Sequence, residues 1–260
     1  MPKEVAHDGK SVTTGIFKEQ VEGRIMLRRL NLEGDGQADL WGHGGVFRAV
    51  YVYSRENYDY WAGELGRDDF AIGQFGENFT VDGMLDDEVC VGDVFRVGGA
   101  LVEVSQPRIT CYKLALKMGI DGFQNRFLES GRVGFYFRVL KEGQVGAGDD
   151  VVLVKRDPRG MTVRAVSDLL YFDKENLEAA RQALQIPALS HGWKGSFAAR
   201  VAKAEASNKT RKGLGDFAVE RKEAESDTIT SFYLAPQDGA PLPAFLPGQF
   251  GGFPEPSTYG

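Results

Sequence analysis

The residue with the strongest potential for chemistry is Cys111, in the segment SQPRITCYK at 105–113. It lies just beyond an alternating apolar and polar stretch, and Arg108 and Lys113 are close to it in sequence. Cationic neighbours favour the thiolate form of a cysteine, and a thiolate is a good ligand for a soft or high-valent metal. A free cysteine is commonly a small buried apolar residue instead. The local sequence leaves these two interpretations about level.

Two further glycine-rich segments, at 31–61 and 73–83, carry polar side chains. Glycine lets a backbone approach a ligand closely, and the segments offer hydrogen-bonding groups and charges from Asp35, His43, Arg48, Glu77 and Asn78. Either segment alone is typical of a β-turn loop, in which an arginine beside carboxylates forms a structural salt bridge. Three polar segments with matching chemistry predict one shared site.

Other kinds of metal site are not favoured. Cys90 lies in the apolar and acidic context DDEVCVGD, which raises the pKa of a thiol and predicts a structural role. Neither cysteine is part of a CxxC or similar zinc-type spacing. The three histidines are far apart in the sequence. Thiolate is therefore the predicted protein ligand for any metal.

The pattern of apolar residues predicts a mostly β fold with some α-helix. From about residue 11 to 155, short apolar or alternating runs are broken by glycines, as in AVYVY, ENFTV and ALVEVSQ. Such spacing is typical of a barrel of short antiparallel strands. Helical patterns in SRENYDYWAGEL, with Ser54 as a predicted cap, and in DGFQNRFLESG predict two helices that flank or plug the barrel.

The sequence changes character after the turn-rich DPRG at 157–160. Residues 161–205 predict three helices that open at Thr162 or Ser167, at Asp173 and after Ser190, and whose apolar faces pack together. The charged stretch 203–227 is typical of a linker. The segment TITSFYLAP then predicts a strand.

Composition argues against several classes of function. The 31 basic and 37 acidic residues give a net charge of −6, so the field of the whole protein opposes binding to nucleic acid or a membrane surface. No apolar run approaches the roughly 18 residues of a membrane span, and MPKEVAHDGK has no hydrophobic signal core. We expect a cytoplasmic protein in which any anion site is local.

The ordered motifs resemble the MOSC domain in its YiiM-like branch, part of the molybdenum cofactor sulfurase C-terminal domain family. The similar stretches are GDGQAD, HGGVFRAVYVY, FGENFT and EVSQPRITCYKL, and several motifs in order are more specific than one. The resemblance covers about residues 11–157. The helical stretch 161–205 is similar to the three-helix domain that follows MOSC in that branch, and together with the charged linker it makes a predicted domain of residues 161–222. It implies a MOSC β-barrel with flanking helices plus a small C-terminal three-helix unit.

The resemblance also implies a groove for molybdenum cofactor in its molybdopterin form, with the metal held by two dithiolene sulfurs and Cys111. It implies an oxidoreductase that reduces N-hydroxylated bases or related N–O compounds. Asp35 and Glu77 are candidate proton donors for the leaving oxygen, although each could be only a hydrated turn carboxylate. Candidate contacts to the phosphate or pterin of the cofactor are His43, Arg48, Asn78, Arg108, Thr110 and Lys113.

Two other functions are open at this point. Cys111 could carry a persulfide in a cofactor carrier or sulfur-transfer module, or the loops could dock another protein and bind no cofactor. Metal and pterin analysis would separate these possibilities from an oxidoreductase.

The C-terminal segment carries a second resemblance. SFYLAPQDGAPLPAFLPGQF at 231–250 is similar to the first strands of the flavin barrel of ferredoxin-reductase-like proteins, which suggests a MOSC–reductase fusion. The next motif of that family, an Arg-x-Tyr-Ser strand, does not follow. Residues 227–260 are therefore expected to be a non-functional remnant with no flavin on this chain. A separate flavin or iron–sulfur reductase would supply electrons, and the chain could be a monomer or a homodimer.

Overall fold

The computed structural model describes residues 3–7, 10–36, 44–209, 216–237 and 239. Its strands are β1 Lys3–His7, β2 Lys10–Thr14, β3 Arg24–Leu27, β4 Val50–Ser54, β5 Phe79–Val81, β6 Val94–Val97, β7 Ala100–Pro107, β8 Phe135–Lys141, β9 Gly143–Gly146, β10 Val151–Lys155, β11 Phe217–Ala224 and β12 Thr230–Pro236. Its helices are α1 Glu56–Leu65, α2 Tyr112–Met118, α3 Phe123–Glu129, α4 Val163–Tyr171, α5 Leu177–Leu184 and α6 His191–Lys209, and a 3₁₀ turn spans Val46–Arg48.

A six-stranded sheet forms a half-barrel with the strand order β10-β6-β7-β8-β4-β5. Neighbouring strands are antiparallel, except that β4 and β5 run parallel. Strand β4 is buried along its whole length, as its continuous apolar and aromatic sequence predicts. The prediction of a mostly β fold with flanking helices is confirmed.

Aromatic side chains fill the space between the sheet and helices α1 and α3. The ring centroids of Tyr53 and Phe75 are 4.7 Å apart, and those of Trp61 and Phe127 are 5.8 Å apart. The Trp61 indole donates a hydrogen bond of 2.9 Å to the Tyr53 hydroxyl, so the polar atoms of these buried rings are paired. Burial of each ring contributes about 2 kcal/mol, which makes this cluster a firm base for the adjacent loops.

The predicted three-helix unit is also confirmed. Helix α4 begins at Thr162, whose hydroxyl accepts a 3.1 Å hydrogen bond from the Ala165 amide, as expected of an N-cap. Helix α5 begins later than predicted, because Asn176 rather than Asp173 caps it. The buried residues of the unit lie on one face of each helix and include Val166, Leu169, Ala180, Ala183, Trp193 and Phe197.

Three local predictions differ from the structure. Ser54 belongs to β4, and α1 begins at Glu56 with no side-chain cap. Helix α2 was not predicted, and it begins directly after Cys111. The charged stretch predicted as a linker contains strand β11, whose side chains are all exposed. Burial therefore did not shape the sequence of β11, and its composition gave no strand pattern.

The chain divides into two compact units, at 1–199 and 200–260. In the second unit, β11 and β12 form an antiparallel hairpin, so the strand predicted in TITSFYLAP is present. The rest of the proposed flavin-barrel remnant, from residue 240 onward, lies outside the described residues. Among the described residues, no helix is both long and apolar enough to cross a membrane.

Candidate functional site

A cavity of about 120 Å³ opens beside β4, β8 and the end of β7. Its described wall carries four cationic side chains, one carboxylate and one thiol. The lining residues are Thr14, Gly15, Ile16, Lys18, Asp35, Gly36, Arg48, Ala49, Tyr51, Gly76, Asn78, Arg108, Cys111, Lys113 and Tyr136. The three polar segments of the sequence therefore converge, together with a fourth at 14–18.

Cys111 is half-buried and lies in the wall of this cavity. Its backbone is extended and it is the residue from which α2 starts, four residues beyond the end of β7. Cys111 interacts electrostatically with both Arg108 and Tyr136, which places a cation and a phenol close to the sulfur. The alternative of an inert thiol deep among aliphatic neighbours does not describe this position.

Arg108 is buried, and its position is fixed from two directions. One guanidinium nitrogen, Nη1, donates a 2.7 Å hydrogen bond to the Phe75 carbonyl oxygen. The guanidinium carbon lies 4.4 Å from the ring centroid of Tyr51 and 5.5 Å from that of Phe127. Cation–π contacts of this kind stabilise a desolvated guanidinium without neutralising it. A structural salt bridge was the alternative considered for an arginine in these segments. Among the described residues, Arg108 instead contacts a carbonyl oxygen and two aromatic rings.

Asp35 is fully engaged by its neighbours. Both carboxylate oxygens lie 2.6 Å from Nζ of Lys18, and Nδ2 of Asn78 donates a further hydrogen bond of 2.7 Å to Oδ2. Oδ1 also accepts a 2.8 Å hydrogen bond from the Gly36 amide. Asp35 therefore fixes the positions of the Lys18 ammonium and the Gly36 amide.

Asn78 connects this ion pair to the sheet. The side-chain Oδ1 of Asn78 accepts a 3.0 Å hydrogen bond from the Tyr51 backbone amide, and the backbone amide of Asn78 donates one of 2.8 Å to the Tyr51 carbonyl oxygen. Both ends of the Asn78 carboxamide are thus occupied. The chain of contacts runs from β4 through Asn78 and Asp35 to Lys18, and it fixes the Lys18 ammonium at the cavity.

Glu77 lies outside the cavity lining and is buried behind it. One carboxylate oxygen, Oε1, accepts hydrogen bonds from the Tyr58 hydroxyl, the Gly73 amide at 3.0 Å and the Thr80 hydroxyl at 2.9 Å. The other accepts one of 3.1 Å from the Phe75 amide. Burial, followed by the nearby Glu77 charge, raises the pKa of Tyr58. Glu77 shapes the loop whose Phe75 carbonyl holds Arg108, and this position does not suit the predicted proton donor.

Lys117 ties two edges of the cavity together. Its ammonium donates a 2.9 Å hydrogen bond to the Ile16 carbonyl oxygen and a second to that of Gly73. Burial lowers the pKa of Lys117 to about 8. The loop that contains Gly73 also packs closely against Ile16 at Gly76. A glycine is required there, because its φ is +84° and a Cβ would lie 2.5 Å from Cγ1 of Ile16.

The predicted site residues separate into three groups. Thr110 and Glu77 are described but do not line the cavity, and His43 lies outside the described residues. The predicted residues that meet at the cavity are Asp35, Arg48, Asn78, Arg108, Cys111 and Lys113.

Lys18, Tyr51 and Tyr136 are among the lining residues that the sequence did not predict. Lys18 stands in a segment without a motif, so only the tertiary fold reveals it. Tyr51 and Tyr136 are opposite each other in the β4–β8 ladder, with ring centroids 5.4 Å apart. The alternation within each strand could have indicated that these two rings face one side of the sheet.

Cys90 has the structural role that was predicted. It is buried, and burial raises the pKa of its thiol, against the effect of an Arg156 nitrogen 3.4 Å from the sulfur. Arg156 also pairs with the fully buried Asp93 at 2.9 Å. Cys90 thus belongs to a polar network with Arg156 and Asp93, and none of the three residues lines the cavity.

Comparison with known proteins places these features in a family. Residues 39–152 match the MOSC domain, and residues 161–204 match the YiiM-like 3-alpha helix domain. Protein YiiM of Escherichia coli is 37% identical over 182 residues, which cover 69% of this chain and 81% of that protein. The crystal structure of YiiM from Geobacillus stearothermophilus superposes with a TM-score of 0.66 at 34% identity, covering 77% of this chain and 95% of the other.

Two further similarities concern redox proteins. A protein named Reductase from Gibberella moniliformis is 32% identical over 182 residues, which cover 69% of this chain but 32% of that protein. Short matches to flavohemoproteins also occur, such as 62% identity over 39 residues with that of Pseudomonas aeruginosa, covering 15% of this chain and 10% of the other. The match to YiiM covers most of both proteins, and this chain belongs to the YiiM-like family of MOSC-domain proteins.

Proposed function

We propose that this protein is an oxidoreductase that uses molybdenum cofactor to reduce N-hydroxylated bases or related N–O compounds. Membership of the MOSC family and the similarity to a protein named Reductase support redox chemistry of this kind. The observation that carries the proposal is Cys111, a half-buried thiol in the wall of a cavity rich in cations.

The donor set of the cavity suits a molybdopterin. Such a cofactor presents a phosphate dianion and a pterin edge rich in hydrogen-bonding groups. The charge of Lys18 is balanced by Asp35, so Arg108 and Lys113 supply positive charge for a phosphate. Within the described residues, no group of three or more His, Cys, Asp or Glu side chains could hold a metal. In the proposal, the dithiolene sulfurs of the cofactor therefore join Cys111 as ligands.

The protein side chains have distinct roles in this mechanism. The bound cofactor would supply a metal that takes the oxygen atom of the N–O group. Cys111 would bind that metal, and the fixed guanidinium of Arg108 would hold negative charge beside it. Asp35 and Glu77 are both engaged in hydrogen bonds, so we assign them to positioning rather than to proton donation.

Proton delivery then falls to other groups of the cavity wall. Reduction of an N-hydroxy group to an amine consumes two electrons and two protons and releases one water. The Lys18 ammonium and the Tyr136 phenol are hydrogen-bond donors in the lining. A flavin or iron–sulfur reductase is the proposed source of the electrons.

The test is metal and pterin analysis of protein from a cofactor-replete host, with activity on an N-hydroxylated base measured under reduced viologen. Wild type should carry near-stoichiometric molybdenum and turn over. Cys111→Ser should lose activity and most of the metal. Cys90→Ser is the matched control, because Cys90 is buried away from the cavity lining and contacts Arg156. This variant should keep the metal content and the activity of wild type.

Two outcomes would contradict the proposal. Protein from such a host that carries neither metal nor pterin would favour a docking module. Protein that binds metal and pterin but does not turn over with a strong reductant would favour the cofactor carrier or sulfur-transfer role.

A further inference from the structure

Strand β10 is an open edge of the six-stranded sheet. It pairs with β6 on one side, and among the described strands nothing pairs with its other side. The exposed fractions of Val152, Leu153 and Val154 are 38%, 41% and 56%. An edge strand with exposed apolar side chains and unpaired backbone groups is a template for another strand.

The charges at the two ends of this strand are opposite in sign. Asp150 precedes the apolar run and Lys155 ends it, and both are exposed. Neither forms an ion pair within the part of the chain that the structure describes, whereas the adjacent Asp149 pairs with Arg24 at 2.8 Å. The segment thus presents an acidic end, an apolar centre and a basic end.

We propose that β10 pairs with β10 of a second copy of this chain, antiparallel, so that the sheets of the two copies become continuous. Antiparallel pairing about a two-fold axis brings the acidic end of each strand beside the basic end of its partner. The same pairing covers the apolar centre of one strand with that of the other. A closed two-fold dimer is the simplest assembly that a self-complementary strand can form.

The local geometry of β10 fits a short pairing of this kind. The β10–β6 ladder shifts register between Leu153 and Lys155, which leaves Val154 outside the regular pairing on that side. Charged residues on an edge strand normally discourage association. In an antiparallel homodimer, however, each charge lies near an opposite charge of the partner. The charges therefore favour antiparallel pairing and disfavour parallel pairing.

The proposed interface is separate from the cavity. No residue of 143–157 lines the cavity wall. Variants of β10 should therefore keep their cofactor content and activity, and failure of the dimer would not count against the proposed function.

The experiment uses the complementarity of the two ends. Sedimentation velocity of wild type over a range of concentrations should show a monomer–dimer equilibrium. Asp150→Lys makes both ends basic and Lys155→Asp makes both ends acidic, so each variant alone should dimerise at least about tenfold more weakly. An equimolar mixture of the two variants should dimerise again, as a heterodimer.

A surface control and two contrary results complete the design. Asp121→Lys reverses an exposed charge outside β10 and should leave the equilibrium unchanged. Wild type that stays monomeric at every concentration would overturn the proposal. This holds also if hydrogen exchange then shows protected β10 amides, because another part of the same chain would be covering the strand. A wild-type dimer that neither variant weakens, or that the mixture fails to restore, would overturn it as well.

Discussion

Asp35 determines how charge is distributed in the cavity. As the one carboxylate of the described wall, it neutralises Lys18 and also holds Asn78 and Gly36. Cys111, Arg108 and Lys113 could be found together in the sequence because they are local neighbours in one segment. The pairing of Lys18 with Asp35 could not, because it depends on two loops that meet only in the folded chain.

The first prediction concerns this pair. Asp35→Asn keeps the shape of the side chain but leaves the largely buried Lys18 ammonium without its counter-charge. We expect the free energy of unfolding to fall by about 2 kcal/mol, as measured by urea denaturation. Asp69→Asn is the matched control, because Asp69 pairs with Arg67 at the surface and its loss should matter far less. Equal losses in the two variants would contradict the positioning role of Asp35.

At the scale of secondary structure, the elements with local sequence signals were predictable and those without were not. Helix α4 has a threonine cap, and the sequence shows it. Helix α2 starts at Cys111 with no side-chain cap, so its beginning has no signature. Its place is set by tertiary contacts instead, including the hydrogen bonds from Lys117 to the backbone of two other loops.

The second prediction concerns the turn between β5 and β6. Asp86 is buried there and accepts a 2.7 Å hydrogen bond from the Gly134 amide, and burial raises its pKa to about 7. The folded protein therefore holds a proton that the unfolded chain releases near pH 4. The free energy of unfolding should fall as the pH rises from about 4 to about 7, by at most about 1.4 kcal/mol per unit from this group.

Chemical denaturation at several pH values measures this dependence. Asp86→Asn cannot titrate and should remove that part of the slope, whereas Asp87→Asn, at an exposed neighbouring position, should leave it unchanged. An unaltered slope in Asp86→Asn would show that the carboxyl is ionised in the folded protein throughout this range.

At the scale of the whole molecule, the order of strand and helix patterns was enough to predict a β-barrel domain followed by a three-helix unit, and the sheet of that domain forms a half-barrel. Alternation and turns are local properties, so they survive in the sequence. The composition of the cavity is not local, because segments near residues 14–18, 35–36, 76–78 and 108–113 approach one another only through the sheet. The exposure of β10 at the edge of the sheet was not predicted either, because an apolar run of this length is equally typical of a buried strand.

The most direct test of the central claim is X-ray absorption at the molybdenum edge of the loaded protein. Cys111 as a metal ligand predicts one more sulfur neighbour in wild type than in Cys111→Ser, with the dithiolene sulfurs present in both. An equal number of sulfur neighbours in two metal-loaded proteins would contradict the assignment of Cys111 as the ligand.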